Sequence, residues 1–153
     1  MLTASLDLGD FRAEVEKTRR IIKLGIARGV GKAAAEGAQE AKRSGRFKNR
    51  TGALRQGIAA RFLSDSGGSV EWEILSPARY SKFIEEGTRP HEIRPKNAQA
   101  LRFVVGGRVV FAGKVRHPGT QADPFMGQAY TKGYAVLVRE LEQMTENVAN
   151  IWR

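Results

Sequence analysis

The two histidines offer the broadest chemistry in this sequence, because an imidazole can bind a metal or transfer a proton near neutral pH. They are His91 and His117, and each lies beside a proline. A zinc site needs about four ligands at close spacing, and the chain contains no cysteine. The sequence therefore predicts no metal site, no cofactor and no disulfide.

Acid–base and nucleophilic chemistry are equally poorly supported. Glu85 or Glu86 could pair with His91, but a glutamate pair at a helix end is usually solvated. The serines lack nucleophile-elbow spacing, and the Gly67-Gly68 and Gly106-Gly107 pairs lack a phosphate-loop lysine. We therefore predict a protein without catalytic residues.

Positive charge is concentrated in one part of the chain. Lys and Arg outnumber Asp and Glu by 26 to 16, and residues 17–61 contain only two acidic residues, Glu36 and Glu40. The basic residues of that segment are Lys17, Arg19, Arg20, Lys23, Arg28, Lys32, Lys42, Arg43, Arg46, Lys48, Arg50, Arg55 and Arg61. This distribution indicates an anionic partner, either nucleic acid or an acidic protein surface. The alternative is a solvated helix face.

The first element that must position these charges is a long helix. Apolar residues from Phe11 onward recur at helical spacing and predict a helix over about residues 10–42, capped by Asp10 or Ser5. Small residues recur every four positions along it, at Gly25, Gly29, Ala33, Gly37 and Ala41. Such a ridge allows another backbone to approach closely, which would offset the helix propensity that the glycines cost.

The middle of the chain is predicted to start with a short helix capped by Thr51 and ending near Gly57, with Leu54 and Ile58 inward. A hairpin follows, with strands at 58–63 and 69–75 around a turn at 64–68. In its second strand Val70, Trp72 and Ile74 alternate with polar residues, which predicts one buried face.

The second half is predicted to contain a helix over 78–86, with Tyr80, Phe83 and Ile84 on its apolar side, ended by Gly87. Residues 88–98 look irregular. Strands at 101–105 and 108–111 form a second hairpin around Gly106-Gly107. Asp123 is predicted to cap a last helix over 124–151.

This order of elements predicts a single α+β domain over residues 1–153. We expect an antiparallel sheet of about four strands, in two hairpins, packed against long N- and C-terminal helices. No apolar run approaches the roughly 18 residues that cross a bilayer, and residues 1–11 do not have the pattern of a signal peptide. We therefore expect no membrane contact.

Three segments resemble a known family. YSKFIEEGTRPHEIRPK at residues 80–96 resembles a signature of the tail-completion or head–tail joining proteins of long-tailed bacteriophages. VRHPGTQADPFMGQAY at 115–130 resembles the second block of that family, and TGALRQGI at 51–58 resembles its early helix. The three segments occur in the expected order and span about half of the chain.

The resemblance implies a structural virion protein, made in the host cytoplasm, at the neck or top of the tail. It implies a ring of identical copies, matching the six-fold symmetry of the tail, that touches the tail tube, tail terminator or connector proteins. DNA in the channel is a further expected contact, and no enzymatic activity is implied.

Site residues fall into two groups under this resemblance. One group is expected to build the motifs: Gly52, Glu85, Gly87, Thr88, Pro90, Pro95, His117, Pro118, Gly119, Pro124 and Phe125. The other is expected to contact neighbouring subunits or partners: Arg28, Lys32, Arg43, Arg46, Lys48, Arg50, Arg89, His91, Arg94, Lys96 and Arg116.

The alternative function is non-specific nucleic-acid binding through the basic N-terminal third, where lysines and arginines would neutralise phosphates. Proteins that bind single strands also stack bases on exposed aromatic side chains. Phe47 is the only aromatic residue between Lys17 and Arg61. The presence or absence of aromatic residues among the basic ones therefore discriminates between the two functions, and a DNA-binding assay over a range of salt concentrations would decide.

Overall fold

Two long helices at the ends of the chain dominate the architecture. The computed structural model describes residues 8–48 and 51–152. Helix α1 spans Leu8–Ser44 and helix α4 spans Phe125–Ala149, and the two pack against each other along much of their length. Asp10 lies in the first turn of α1, so the predicted Asp10 cap is wrong. Ser5, the other candidate cap, lies outside the described residues.

Close packing of the two helices depends on the small-residue ridge. A methyl group at Gly25 would come within 2.6 Å of Met144 Cγ, and one at Gly37 within 2.8 Å of the Ala129 carbonyl oxygen. On α4, a methyl group at Gly133 would lie 3.0 Å from the carbonyl oxygen of Ala33. The predicted close approach is confirmed, and the partner is α4 of the same chain.

Within the described residues, two short helices and six short strands lie between these helices in the chain. The helices are α2 (Ala53–Gly57) and α3 (Ser81–Glu85). The strands are β1 (Ala59–Ser66), β2 (Ser69–Leu75), β3 (His91–Ile93), β4 (Leu101–Val105), β5 (Arg108–Ala112) and β6 (Val115–His117). They form three two-stranded antiparallel sheets, β1–β2, β3–β6 and β4–β5. The predicted α+β class and its two hairpins are confirmed.

The third sheet, β3–β6, lies partly in the segment predicted to be irregular. His91 pairs with His117 and Ile93 with Val115, in register across the sheet. Helix α3 is also shorter than predicted, because residues 79–80 form a turn before it. Strand β1 instead continues through Ser66, which shortens the predicted turn to Gly67 and Gly68.

The β1–β2 hairpin packs on α1 through the predicted face of β2. A methyl group at Gly31 would lie 3.2 Å from the Trp72 ring, and one at Gly37 would lie 2.7 Å from Ile74 Cδ1. The glycines of α1 therefore give room to this sheet as well as to α4. This contact confirms the predicted inward face of Trp72 and Ile74.

The core is small and joins both long helices to α2. Its fully buried large side chains are Phe125, Leu54 and Ile58, packed with alanines of α1 and α4. Phe47 packs edge-on against Phe125, with ring centroids 5.3 Å apart. Phe125 therefore anchors α4 to α1 and α2, and Ala60 of β1 and Ile74 of β2 pack against the same cluster.

Candidate interaction surfaces

Glu85, at the end of α3, caps helix α4. Its two carboxylate oxygens accept hydrogen bonds from the backbone N–H groups of Met126, at 2.9 Å, and Gly127, at 3.0 Å. These groups belong to the first turn of α4, where backbone N–H groups lack helical partners and the helix dipole favours negative charge. A glutamate far away in sequence thus fixes the start of the last helix.

The predicted capping role of Asp123 is wrong. The N-cap residue of α4 is Pro124, which makes no side-chain capping hydrogen bond. Asp123 is 6% exposed, and its carboxylate accepts a hydrogen bond from the Phe47 N–H at 2.9 Å, while Arg46 Nε lies 3.8 Å from its other oxygen. Asp123 therefore ties the loop after α1 to the start of α4.

Two of the three segments that resemble the phage family, at residues 80–96 and 115–130, meet in one double loop. Thr88 and Thr120 exchange backbone hydrogen bonds of 2.8 and 3.1 Å. Gly87 and Gly119 have positive φ values of 72° and 93°. A methyl group at Gly87 would lie 2.6 Å from the Thr120 oxygen, so only glycine allows this approach. The left-handed conformation predicted for Gly87 is confirmed.

Replacing Glu85 by alanine is expected to lower the free energy of unfolding by about 1–2 kcal/mol, because two N–H groups of α4 lose a charged acceptor. Chemical unfolding followed by circular dichroism measures the change. The matched control is Glu86→Ala, since Glu86 is exposed and makes only a 3.9 Å ion pair with Lys82. Equal losses in both variants would contradict the capping role.

The remaining motif residues surround the double loop or start α2. Pro90 and Pro118 are exposed beside the paired histidines, and Pro95 is half-buried after β3. Gly52 precedes α2 with φ 78°, and the Thr51 hydroxyl accepts only a long 3.4 Å hydrogen bond from Ala53. The N-cap residue of α2 is therefore Gly52, and the predicted Thr51 cap is wrong.

His91 and His117 lie side by side across the β3–β6 sheet, with ring centroids 5.0 Å apart. His91 Nδ1 lies 2.8 Å from the Arg89 carbonyl oxygen, and His117 Nδ1 accepts the Gly119 N–H at 3.1 Å. The nitrogens thus hold the local backbone. No group of three or more potential metal ligands occurs within residues 8–48 and 51–152.

Exposed basic side chains surround the β3–β6 sheet. Arg89, Lys96 and Arg116 are exposed, and the described part of the chain supplies them with no hydrogen-bond or ion-pair partner. Arg94 instead pairs with Glu92 at 2.6 Å. The predicted contact residues thus include three cations that are free for an external partner.

The basic residues of α1 divide between internal and external roles. Lys32 Nζ lies 2.6 Å from Glu140 of α4, and Arg43 pairs with Glu40 at 3.0 Å. Arg46 approaches Asp123, as described above. Arg28 makes no ion pair or hydrogen bond within residues 8–48 and 51–152, although its charge acts on Glu140. Lys48 has no partner in the same residues, and Arg50 lies outside them.

The Lys32–Glu140 contact predicts a pH effect on stability. The hydrogen bond from Lys32, joined by the charges of Lys32, Arg139 and Arg28, lowers the pKa of Glu140 below its ordinary value of 4.5. The contact therefore stabilises the fold above about pH 4.5, and this contribution is lost as pH falls through the lowered pKa. Lys32→Met should be less stable than wild type near neutral pH, and the difference should shrink in acid. The control is Lys17→Met, whose exposed pair with Glu14 contributes little.

Phe47, the single aromatic residue of the basic segment 17–61, packs toward the protein interior. It is half-buried against Phe125, and the Arg55 guanidinium lies 5.2 Å from its ring centre. Arg55 also donates a 2.9 Å hydrogen bond to the Gly45 carbonyl. The Phe47 ring is therefore occupied by contacts within the chain.

Large apolar side chains are exposed in places that the charge pattern did not indicate. Tyr130 and Tyr134 of α4 are 72% and 60% exposed and stack on each other, with ring centroids 6.3 Å apart. Phe83 of α3 is also exposed, although it was predicted on the inner side, whereas Ile84 packs on the core. The sequence contains more large apolar residues than a small core can bury, and this excess was the only sequence signal for these exposed side chains.

The fold defines an α+β protein with exposed basic and apolar surfaces. A model of the family described as "HK97-gp10_like: Bacteriophage HK97-gp10, putative tail-component" matches residues 9–87. The match covers just over half of the chain, and the chain belongs to this family of phage tail components. No curated protein and no solved structure matches it.

Family membership makes the chain a component of the virion. The matched range includes the 51–58 motif and residues 80–87 of the 80–96 motif, while the 115–130 motif lies beyond it. None of the helices within the described residues is long and apolar enough to span a membrane.

Proposed function

We propose that the chain is a tail-completion or head–tail joining protein, a non-enzymatic subunit of a ring at the neck or the top of the tail. The ring would connect or cap the tail by binding, without turnover. The family match supports a location in the phage tail. The more specific position is supported by the resemblance of the three motifs to head–tail joining proteins, and two of these motifs, at residues 80–96 and 115–130, meet in the double loop.

The observation that carries this proposal is the size of the accessible surface. The chain exposes 11945 Å², whereas a compact monomer of 16.9 kDa exposes about 7,700 Å². The ten residues outside the described ranges, even at the roughly 160 Å² per residue of an unfolded chain, would supply about 1,600 Å² of the excess. The remaining excess suits a subunit that buries surface in an assembly.

A closed ring of identical copies explains where that surface goes. Each subunit in a ring has two different contact faces, one for each neighbour, and a standard interface covers about 800 Å² per partner. The remaining excess of about 2,600 Å² is enough for two such faces and a contact with the tail tube, tail terminator or connector. Six copies would match the six-fold symmetry that the resemblance implies for the tail.

Size-exclusion chromatography with light scattering tests the proposal on the pure chain and on mixtures with tail-tube, tail-terminator or connector proteins. We expect ring-sized oligomers of the chain, alone or on the tail. A chain that stays monomeric in every mixture and joins no tail or neck complex would refute the proposal.

Contact with DNA in the channel is the second part of the proposal. It is supported by the exposed cations on α1, among them Arg20 and Arg28, which have no ion-pair partner within the described residues. The Phe47 ring contacts Phe125 and Arg55 and is therefore occupied, which argues against stacking on a base. Binding would then depend on phosphate charge alone. We expect weak DNA binding that disappears near physiological salt of about 0.15 M. Tight binding there would favour the nucleic-acid-binding alternative.

A further inference from the structure

The β4–β5 hairpin has apolar side chains on both of its faces. Residues paired across an antiparallel sheet share a face, so the pairs Arg102–Phe111 and Val104–Val109 lie together on one side. On that side Phe111 is 67% exposed, Val104 60% and Val109 47%. Neighbouring exposed apolar side chains that form one patch often mark a contact site. Within the described chain nothing covers this face of the hairpin.

A groove elsewhere on the same chain has matching chemistry. It holds about 510 Å³ between α1, β2 and α4, and its walls include Val30, Trp72, Ile74, Tyr130, Tyr134 and Leu137. None of the residues that line it is charged. Its size falls in the range of sites that hold apolar groups, and its two exposed tyrosines lie at its edge.

The hairpin does not fill the groove of its own chain. Within the described residues, its strands make their extensive contacts only with each other, and none of comparable extent with α1, β2 or α4. The chain thus has an apolar projection and an apolar groove on separate surfaces. Such a pair gives a head-to-tail contact between copies, which closes into a ring when the rotation between subunits allows it.

Charge favours a second copy as the occupant. Two chains of net charge +10 repel each other, so copies can meet closely only where basic residues are few. The groove lining has no charge, and the exposed hairpin face has one, Arg102. That guanidinium can stack on an exposed tyrosine at the groove edge. An acidic partner protein would instead be drawn to the basic residues around β3 and along α1.

We propose that the outer face of the β4–β5 hairpin, formed by Arg102, Val104, Val109 and Phe111, docks into the α1–β2–α4 groove of the adjacent copy. The proposal rests on the proposed ring and names the interface that builds it. Apolar side chains anchor the contact, and Tyr130 and Tyr134 close over it.

Disulfide trapping tests this contact directly, because the chain has no cysteine of its own. One variant carries Val109→Cys on the hairpin and the other carries Tyr134→Cys in the groove. The two proteins are mixed and oxidised, both free and after incorporation into tails. A disulfide needs Cα atoms within about 7 Å, so we expect a covalent heterodimer in the assembled protein.

The matched control replaces Tyr134→Cys by Thr145→Cys, an exposed position about 16 Å further along α4. The control pair should give at least about tenfold less dimer, and adding Val104→Glu to the Val109→Cys chain should remove the link. Ring-sized oligomers without the link, or with equal linking in the control, would overturn this interface and leave the proposed function standing. Failure to oligomerise or to join tails at all would overturn both.

Discussion

Replacing Phe125 by alanine is expected to lower the free energy of unfolding by about 3–5 kcal/mol. The side chain is fully buried, and it packs against Phe47, α2 and the alanines of α1 and α4. Its removal leaves a cavity where the loop after α1, α2 and the start of α4 meet. A domain of this size has only about 5–15 kcal/mol of stability in total, so the variant should lose a large part of it. Denaturant unfolding of the pure chain measures the change.

The matched control is Phe111→Ala, because Phe111 is 67% exposed on the β4–β5 hairpin. It should change the free energy of unfolding by less than about 0.5 kcal/mol. Its expected effect is on assembly, where the hairpin loses its largest apolar side chain. The two phenylalanines therefore separate stability from association. A similar loss of stability in both variants would contradict the small core described here.

Elements with a strong local pattern were predictable from the sequence. The apolar spacing of α1 and α4, and the Gly67-Gly68 and Gly106-Gly107 turns, depend on residues close together in the chain. Strand β3 could not be predicted, because it has three residues, follows Pro90 and pairs with β6 more than twenty residues later. A strand this short gives too little alternation to detect.

The caps of the last helix show a second limit of local patterns. Asp123 precedes Pro124 and Phe125 in the arrangement of a helix cap, yet its carboxylate binds the Phe47 N–H. Glu85, about forty residues earlier, takes the capping position. Sequence can indicate that an N-terminus needs an acceptor. Which carboxylate supplies it depends on how the double loop places α3 against α4.

The candidate contact surfaces were only partly predictable for the same reason. The family resemblance indicated Arg89, Lys96 and Arg116 as contact residues, and their side chains have no partner in the described chain. Lys32, by contrast, is tied to Glu140 across the α1–α4 interface. The apolar hairpin and groove were not identified as contact surfaces at all. An apolar pattern indicates that a face needs cover, and only the fold shows whether the chain supplies that cover itself.

Replacing Gly119 by alanine is expected to lower the free energy of unfolding by about 2–5 kcal/mol. Its φ of 93° lies in the left-handed region, where an L side chain costs about 1–2 kcal/mol. The added methyl group would also overlap the Thr88 carbonyl oxygen and lie 3.0 Å from Arg89 C. These are backbone atoms that a rotamer change cannot move, so the overlap adds about 1–3 kcal/mol.

The control for Gly119 is Gly107→Ala, because Gly107 has a similar φ of 81° but nothing within 4 Å of the added methyl group. It should cost only the backbone term of about 1–2 kcal/mol. The difference between the two variants, measured by denaturant unfolding, isolates the close approach of the two loops. Equal costs would mean that the loops can separate freely. A larger cost at Gly119 would mean that the fold depends on the contact between loops, since this contact holds Glu85 against the first turn of α4. In that case Gly119→Ala should also remove most of the stability that Glu85 contributes, so adding Glu85→Ala to it should cost less than the single change does.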